Sequence, residues 1–364
     1  MNKARIWWLL PVLLAGIIRC GSTSRTAQSM LKISSEGKEK NIILKKLTPA
    51  GEIVPVDTIE MHDGKGEYVF GQVVPDLYFL SRGQTNLPFF LENHNIRVEI
   101  DTAFGLKNIE GGRENTWYAQ YYRHTDSLEQ LQKEIFVRLS QVRGADKEKA
   151  KRELFAVQEE LNRYRLDFAR KHPSLAGVFV LLDLSYDKNS RVKELFDIYL
   201  TYPGEVKKTA AGKFLTKRLN DLSVGALGMR MQNFTAPGPD GKLISLYSVM
   251  GKVTIVDFWA SWCKPCRAQN PHLAELYRKY HDQGLNIISV SLDHNRTAWL
   301  KAMEKDGMNW YHVSHLKGWK EPVAQQFHVR FIPQTFIIDK NGILRYKNLR
   351  GKLLEDKVKE LLAE

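Results

Sequence analysis

The sequence predicts an α/β domain at the C-terminal end, preceded by a small all-β sandwich and a helical segment. Three observations carry that expectation. Residues 253–258 form a β-branched and aromatic run that passes through a Cys-x-x-Cys segment into a helix-patterned stretch. Short β-rich runs between residues 31 and 101 alternate with Pro- and Gly-containing turns. Between residues 115 and 222, apolar side chains recur at spacings of three and four.

Taken in order, residues 1–20 read as an export signal. Lys3 and Arg5 make a basic start, and residues 6–18 are an apolar run too short for a transmembrane span. Cys20 follows, and a Ser/Thr-rich stretch comes after it. This arrangement resembles a bacterial lipoprotein signal, which implies lipidation of Cys20 and anchoring to the membrane through it. Arg19 departs from the pattern, so cleavage near Ser24 and an uncleaved anchor stay as alternatives. Either way the expected location is the periplasm or cell envelope.

The 364 residues suffice for two or three ordinary domains. The net charge of +13 has no local array suited to nucleic-acid readout, so a solvated basic surface is expected and no nucleic acid as partner. Of three cysteines, only Cys263 and Cys266 lie beyond the leader. An exported chain with that content has no structural disulfide framework, and its pair cannot mispair internally.

Residues 31–110 are expected to form the β domain. Runs at 41–47, 53–59, 67–73, 77–81 and 96–100 are divided by turns such as Pro49-Ala50-Gly51 and Pro75-Asp76. Gly111-Gly112 marks its end. In the helical region, 115–222, Leu128, Leu131, Ile135, Leu139 and Val142 are followed, after Gly144, by Leu154, Val157, Leu161, Tyr164 and Phe168. That predicts an antiparallel hairpin. Pro173 is suited to opening a third helix, and two more follow around Leu195 and Leu215. Residues 223–239, rich in Gly and Pro, are expected as a linker.

In the C-terminal domain, 232–364, the order is strand, helix, strand, helix, hairpin, helix. The run 285–291 is apolar enough for a sheet covered on both faces. Asp339-Lys340-Asn341-Gly342 signals the hairpin. Cys263 falls at the start of the helix, where unpaired N–H groups and the dipole favour a thiolate. Lys264 adds a positive charge, and Pro265 suits the first helical turn. A zinc site would need further ligands at suitable spacing, and His312-x-x-His315 is the one tempting pair, so no metal is expected. The strand–CxxC–helix context reads instead as a dithiol/disulfide pair. That pair is itself the redox group, and no separate cofactor is expected.

The stretch Val256-Asp257-Phe258-Trp259-Ala260-x-Trp262-Cys263-x-Pro265-Cys266 resembles the active site of thioredoxins. Together with Asn233-Phe234, Ser289-Val290-Ser291-Leu292-Asp293 and Arg330-Phe331-Ile332-Pro333, it makes the module 232–364 similar to the TlpA/ResA-like envelope thiol–disulfide oxidoreductases. The β domain, through residues 87–93, resembles the one that precedes such modules in envelope lipoproteins. The resemblance implies a thioredoxin-like fold in which Cys263 attacks and Cys266 resolves. It implies that Asp257 is a buried acid exchanging the proton of Cys266, with a raised pKa as expected for a carboxyl in an apolar strand. It further implies a cis Pro333 facing the cysteines and Ile332 backbone groups offered to substrate. A helix kinked at Pro271, a groove shaped by Trp259 and Trp262, and close substrate approach at Gly351 complete the expectation. Trp262, Lys264, Pro265, Ile332 and Pro333 are thus the expected substrate-binding residues.

The expected activity is protein-disulfide oxidoreduction, most simply reductive, as in cytochrome c maturation. Its partners are protein disulfides or dithiols and an upstream membrane or envelope electron donor. Two other classes stay in view: a peroxiredoxin-like peroxidase, and a non-enzymatic adaptor carrying the same module.

Overall fold

The computed structural model describes residues 29–187 and 191–364. The expected leader over 1–20, Cys20 included, lies outside them. No helix among the described residues is long and apolar enough to cross a membrane.

Eight strands come first: β1 (Ser29–Ser35), β2 (Asn41–Leu47), β3 (Ile53–Glu60), β4 (Lys65–Phe70), β5 (Asp76–Arg82), β6 (Thr85–Leu91), β7 (Ile96–Ile100) and β8 (Leu106–Glu110). They form two four-stranded sheets, ordered β4-β1-β7-β8 and β3-β2-β5-β6. Period-two burial explains the layering. Leu31 and Ile33 of β1, and Ile42 and Leu44 of β2, turn inward while their neighbours stay more open. Pro88 is tolerated in β6 because that strand is a sheet edge.

Six helices follow: α1 (Arg113–Gln141), α2 (Gly144–Lys171), α3 (Leu175–Leu184), α4 (Val192–Leu200), α5 (Gly204–Lys208) and α6 (Ala210–Ser223). Pro173 lies before the N-cap Ser174, one step outside the helix it was expected to open. The β domain and the helical region, separate by sequence pattern, share one core containing Leu31, Phe90, Tyr118, Leu181 and Leu215. Asn115 stitches the two: its Oδ1 accepts from Phe90 N at 2.8 Å, and its Nδ2 donates to Phe90 O at 2.7 Å. Gly112 is required at this junction, since a Cβ there would lie 2.1 Å from Glu92 Oε2 at a φ of +81°.

The expected linker at 223–239 is a linker only in its first residues. Gly228 N donates to Leu344 O at 2.8 Å and Met231 N to Gly342 O at 2.8 Å, so the chain docks on the C-terminal domain well before residue 239. Phe234 and Ala236 join that domain's core, because the Gly-rich composition leaves enough apolar side chains to bury. The short strands β9 (Thr235–Pro237) and β10 (Leu243–Ser245) pair with each other.

The remaining elements are β11 (Val253–Trp259), α7 (Lys264–Tyr280), β12 (Leu285–Ser291), α8 (Arg296–Lys305), β13 (Tyr311–Val313), α9 (Pro322–Gln326), β14 (Gln334–Asp339), β15 (Leu344–Lys347) and α10 (Gly351–Ala363). The five-stranded sheet runs β13-β12-β11-β14-β15, with β11 central and buried at every residue. β12 is parallel to β11, and β14 is antiparallel. Alternation along β11 separates two cores. Val253 and Ile255 pack with Leu273 of α7 and Leu354 of α10, and Val256 and Phe258 pack with Trp299 of α8 on the other face.

Candidate active site

At the end of β11 the chain turns through residues 260–263 into α7. Cys263 is the N-cap of that helix, and its Sγ accepts from Cys266 N at 3.2 Å. Lys264 begins the helix, and Pro265 falls in the first turn, where no intrahelical N–H is needed. Cys263 and Cys266 form a disulfide with an S–S distance of 2.00 Å. Although it stands first at the helix start, Cys263 keeps only 6 % exposure, against 1 % for Cys266. The tight turn, closed by Cys263 N donating to Ala260 O at 3.1 Å, presses it against the core. Trp262 points outward, whereas Trp259 is fully buried and so does not line a surface groove as expected. It ends a central strand whose residues all lie inside.

Two carboxylates hold this turn, Asp293 buried and Asp306 half-buried, and sequence reasoning assigned neither of them a role. Asp293 Oδ2 accepts from Ser261 N at 2.9 Å, and Oδ1 accepts from Ser261 Oγ at 2.6 Å. Ser291 Oγ also donates to Asp293, at 2.7 Å. Asp306 accepts from Arg267 Nη2 at 2.7 Å and from Asn270 Nδ2 at 2.8 Å, while Arg267 Nη1 reaches Ser261 O at 3.3 Å. Burial works against ionisation of Asp306, but the hydrogen bonds from Arg267 and Asn270 outweigh it and hold the carboxyl below its ordinary range. The one sequence signal was the Ser-Val-Ser-Leu-Asp run, which contains Asp293.

Asp257 lies on β11 opposite Ser289 of β12 and Thr335 of β14. It is 2 % exposed, and burial pushes its carboxyl up to about 7, with a hydrogen bond from Ser289 working in the opposite sense. Ser289 Oγ donates to Asp257 Oδ2 at 3.1 Å and itself accepts from Trp310 Nε1 at 2.9 Å.

Ile332–Pro333 is a cis peptide bond, and Pro333 is buried. The next residue, Gln334, pairs with Phe258, which places Pro333 at the end of the sheet where β11 leads toward Cys263. Arg350 Nη2 donates to Pro333 O at 3.3 Å. Gly351, expected to admit a substrate backbone, starts α10, and its carbonyl lies 3.2 Å from His272 Nε2. Pro271 is inside α7.

His312 and His315 diverge. His312 is buried with its ring 5.5 Å from that of Trp310, and burial lowers its pKa to about 4. His315 Nδ1 lies 2.6 Å from Glu321 Oε1. Among the described residues, no group of three or more His, Cys, Asp or Glu side chains could hold a metal.

A disulfide capping a helix at the end of the central strand of this sheet defines a thioredoxin-like redox module. The AhpC/TSA family model matches residues 227–347. The thiol–disulfide oxidoreductase ResA of Bacillus thuringiensis subsp. konkukian (strain 97-27) is 31% identical over 138 residues, covering 38% of this chain and 78% of that protein. ResA of Bacillus thuringiensis (strain Al Hakam) is 34% identical over 116 residues; the match covers 32% of this chain and 65%, less than two thirds, of that relative's length. The thioredoxin domain of a thiol–disulfide oxidoreductase from Bacteroides vulgatus, solved by crystallography, has 31% identity, with 38% of this chain and 98% of that one covered and a TM-score of 0.36. The chain belongs to the ResA-like thiol–disulfide oxidoreductases of the thioredoxin family.

Proposed function

We propose that this protein is exported and reduces protein disulfides through Cys263 and Cys266. The observation that carries the reading is the pairing of a helix-capping Cys263–Cys266 disulfide with the buried carboxyl of Asp257 on the same strand–turn–helix unit. In the dithiol form, the Cys263 thiolate attacks one sulfur of a partner disulfide. A mixed disulfide forms and the partner's other sulfur leaves as a thiolate, which takes up a proton. Cys266, after giving its proton to Asp257, attacks Cys263 Sγ. The second partner sulfur leaves as a thiolate and takes up a proton from solvent, and the Cys263–Cys266 disulfide is restored. Two electrons have passed to the partner, and an envelope dithiol donor must return them. A carboxyl near 7 suits this proton exchange, because it changes charge state close to neutral pH. Lys264 and the helix N-terminus favour the Cys263 thiolate. Ile332 and Pro333 border the substrate path, and the expected signal, with Cys20, supplies export and anchoring.

The test is the reduction potential of the Cys263–Cys266 pair, by equilibration in dithiothreitol or glutathione buffers. A value near that of thioredoxin, about −270 mV, supports the reductase. A value near about −120 mV overturns it in favour of disulfide formation. The second reading, a peroxiredoxin-like peroxidase, predicts rapid oxidation of the dithiol form by hydrogen peroxide.

A further inference from the structure

Three loops meet at the sheet end that carries the disulfide: residues 260–266, 315–320 and 328–333. Their closeness is fixed by contacts. The Trp262 and Trp319 ring centroids are 6.4 Å apart. Gly318 N approaches Asp293 O at 3.4 Å, and Asp293 is the residue that holds Ser261. Gly318 has a φ of +55°, a left-handed conformation that favours glycine, and a Cβ there would lie 2.1 Å from His294 Nε2, whose ring would have to move. The third loop delivers its chain to Gln334, which is paired with Phe258.

These loops leave large aromatic side chains in solvent: Trp262 is 53 %, Trp319 48 % and Phe331 56 % exposed. Apolar surface of this kind beside a reactive group marks a contact site, and aromatic residues dominate such contacts. The charge around them has one sign. The three loops contain no Asp or Glu, while Lys264, Lys317, Lys320 and Arg330 are exposed there and make no ion pair among the described residues. The acids that border these loops, Asp293 and Glu321, are buried at 1 % and 0 % exposure and already hydrogen-bonded to Ser261 and His315. An aromatic surface ringed by unpaired cations is complementary to an apolar side chain flanked by carboxylates. A second copy of this chain, itself at +13, would meet it with like charge.

We propose that this face docks an extended, acidic segment of a partner protein in which an apolar or aromatic residue neighbours the disulfide cysteine. The proposal rests on the reading of Cys263 as the attacking thiol and adds to it the kind of partner. Trp319 and Trp262 receive the apolar side chain, and Lys317, Lys320 and Arg330 steer the flanking carboxylates. Because the cations are exposed, their contribution falls mainly on the association rate and fades as salt rises.

The experiment uses the reduced full-length protein and three synthetic peptides, each carrying one cysteine as a mixed disulfide with thionitrobenzoate. One peptide places Phe among Glu residues, one replaces that Phe with Ser, and one places Phe among Lys residues. Second-order rates are read from thionitrobenzoate release at low and high ionic strength. The acidic–aromatic peptide is expected to react about tenfold faster than the basic one at low salt, with the ratio shrinking at high salt. Trp319→Ala is expected to reduce the advantage of Phe over Ser severalfold. The double variant Lys317→Glu with Lys320→Glu lies on an exposed loop and is expected to shift the preference toward the basic peptide. Equal rates on all three peptides, while hydroxyethyl disulfide is still reduced by the unsubstituted protein, would overturn the docking proposal and leave the exchange reading standing. No reduction of hydroxyethyl disulfide would be a failure of the exchange reading itself. Equal peptide rates combined with co-sedimentation on phosphatidylglycerol vesicles would overturn the proposal in favour of a membrane surface.

Discussion

Glu92, Glu114 and Asp76 in the N-terminal half each accept backbone N–H groups at a helix start, whereas Asp257 in the C-terminal half accepts one serine hydroxyl. Glu92 Oε2 takes Glu114 N at 2.9 Å in the first turn of α1, and Glu114 Oε2 takes Ala176 N at 2.9 Å in the first turn of α3. Asp76 takes Ala210 N at 2.7 Å and Ala211 N at 3.2 Å at the start of α6. These side chains satisfy orphan donors: Glu92 and Asp76 tie the sandwich to α1 and α6, and Glu114 ties α1 to α3. Among the described residues, Asp257 has β12 and β14 on either side, a single donor at 3.1 Å and no cation, so burial is what holds its proton. The same kind of side chain thus serves as a fastener in one half and, in our reading, as a proton store in the other. What separates the two uses is where the carboxyl is aimed: at the unpaired N–H groups of a helix start, or at one hydroxyl inside a sheet.

The largest test of this contrast is chemical. Cys263→Ala should lower disulfide exchange on the order of a thousandfold or more in an assay with hydroxyethyl disulfide. Cys266→Ser should accumulate a mixed disulfide visible by mass spectrometry. Activity surviving both would mean that the C-terminal half is not the reactive one.

Asp257→Asn comes next. The folded carboxyl titrates near 7, above its ordinary 3.8, so its stabilising contribution is full below about pH 4 and is lost as pH rises through about 7. A shift of that size corresponds to about 4 kcal/mol at alkaline pH. Urea unfolding of the oxidised protein should show the variant gaining on the unsubstituted chain between pH 5 and pH 8. Parallel pH curves would erase the distinction between the two kinds of acid.

Asn115→Ala should cost roughly 3 kcal/mol, because Phe90 N and O would be left buried without partners. Exchange of hydroxyethyl disulfide should be unaffected, since the cores of the two halves are separate clusters. A loss of exchange rate in a folded Asn115→Ala protein would show coupling that the division into fasteners and proton store does not contain.

The smallest effect concerns the cap of α6. Thr209 Oγ1 accepts from Gly212 N at 3.0 Å, and Thr209→Ala should cost about 1 kcal/mol in the same unfolding assay. An effect several times larger would place Thr209 among the residues that join sheet to helices, beside Asp76.

Much of the C-terminal domain was legible because its signals are local. The apolar run of β11, the cysteines at the head of α7 and the Asp339–Gly342 turn each lie within one window of sequence. The active-site turn was only half legible. Ser261 and Arg267 gave no pattern of their own, since their partners Asp293 and Asp306 come from other parts of the chain. Trp259 and Trp262 look alike in sequence, and only their positions before and after the end of β11 put one in the core and the other in solvent. In the N-terminal half, β1, β6 and β8 escaped the strand pattern, as their places are set by pairing with β4 and β7, with β5 and with β7 in turn. The Gly-rich stretch before β9 read as a linker because its bonds to Gly342 and Leu344 span more than a hundred residues.

By itself, then, the sequence determined the Cys-x-x-Cys pair, its place at a helix start, the strand that leads to it and the order of sheet and helix segments in the C-terminal domain. These depend on side-chain periodicity and on backbone chemistry between near neighbours. Tertiary structure alone decided that the sandwich and the helices share a core. It also set Ser289 and Trp310 beside Asp257, and brought Trp319 with its flanking lysines next to Trp262. Those juxtapositions join residues remote along the chain. Close packing of whole elements sets them, and no local pattern encodes them.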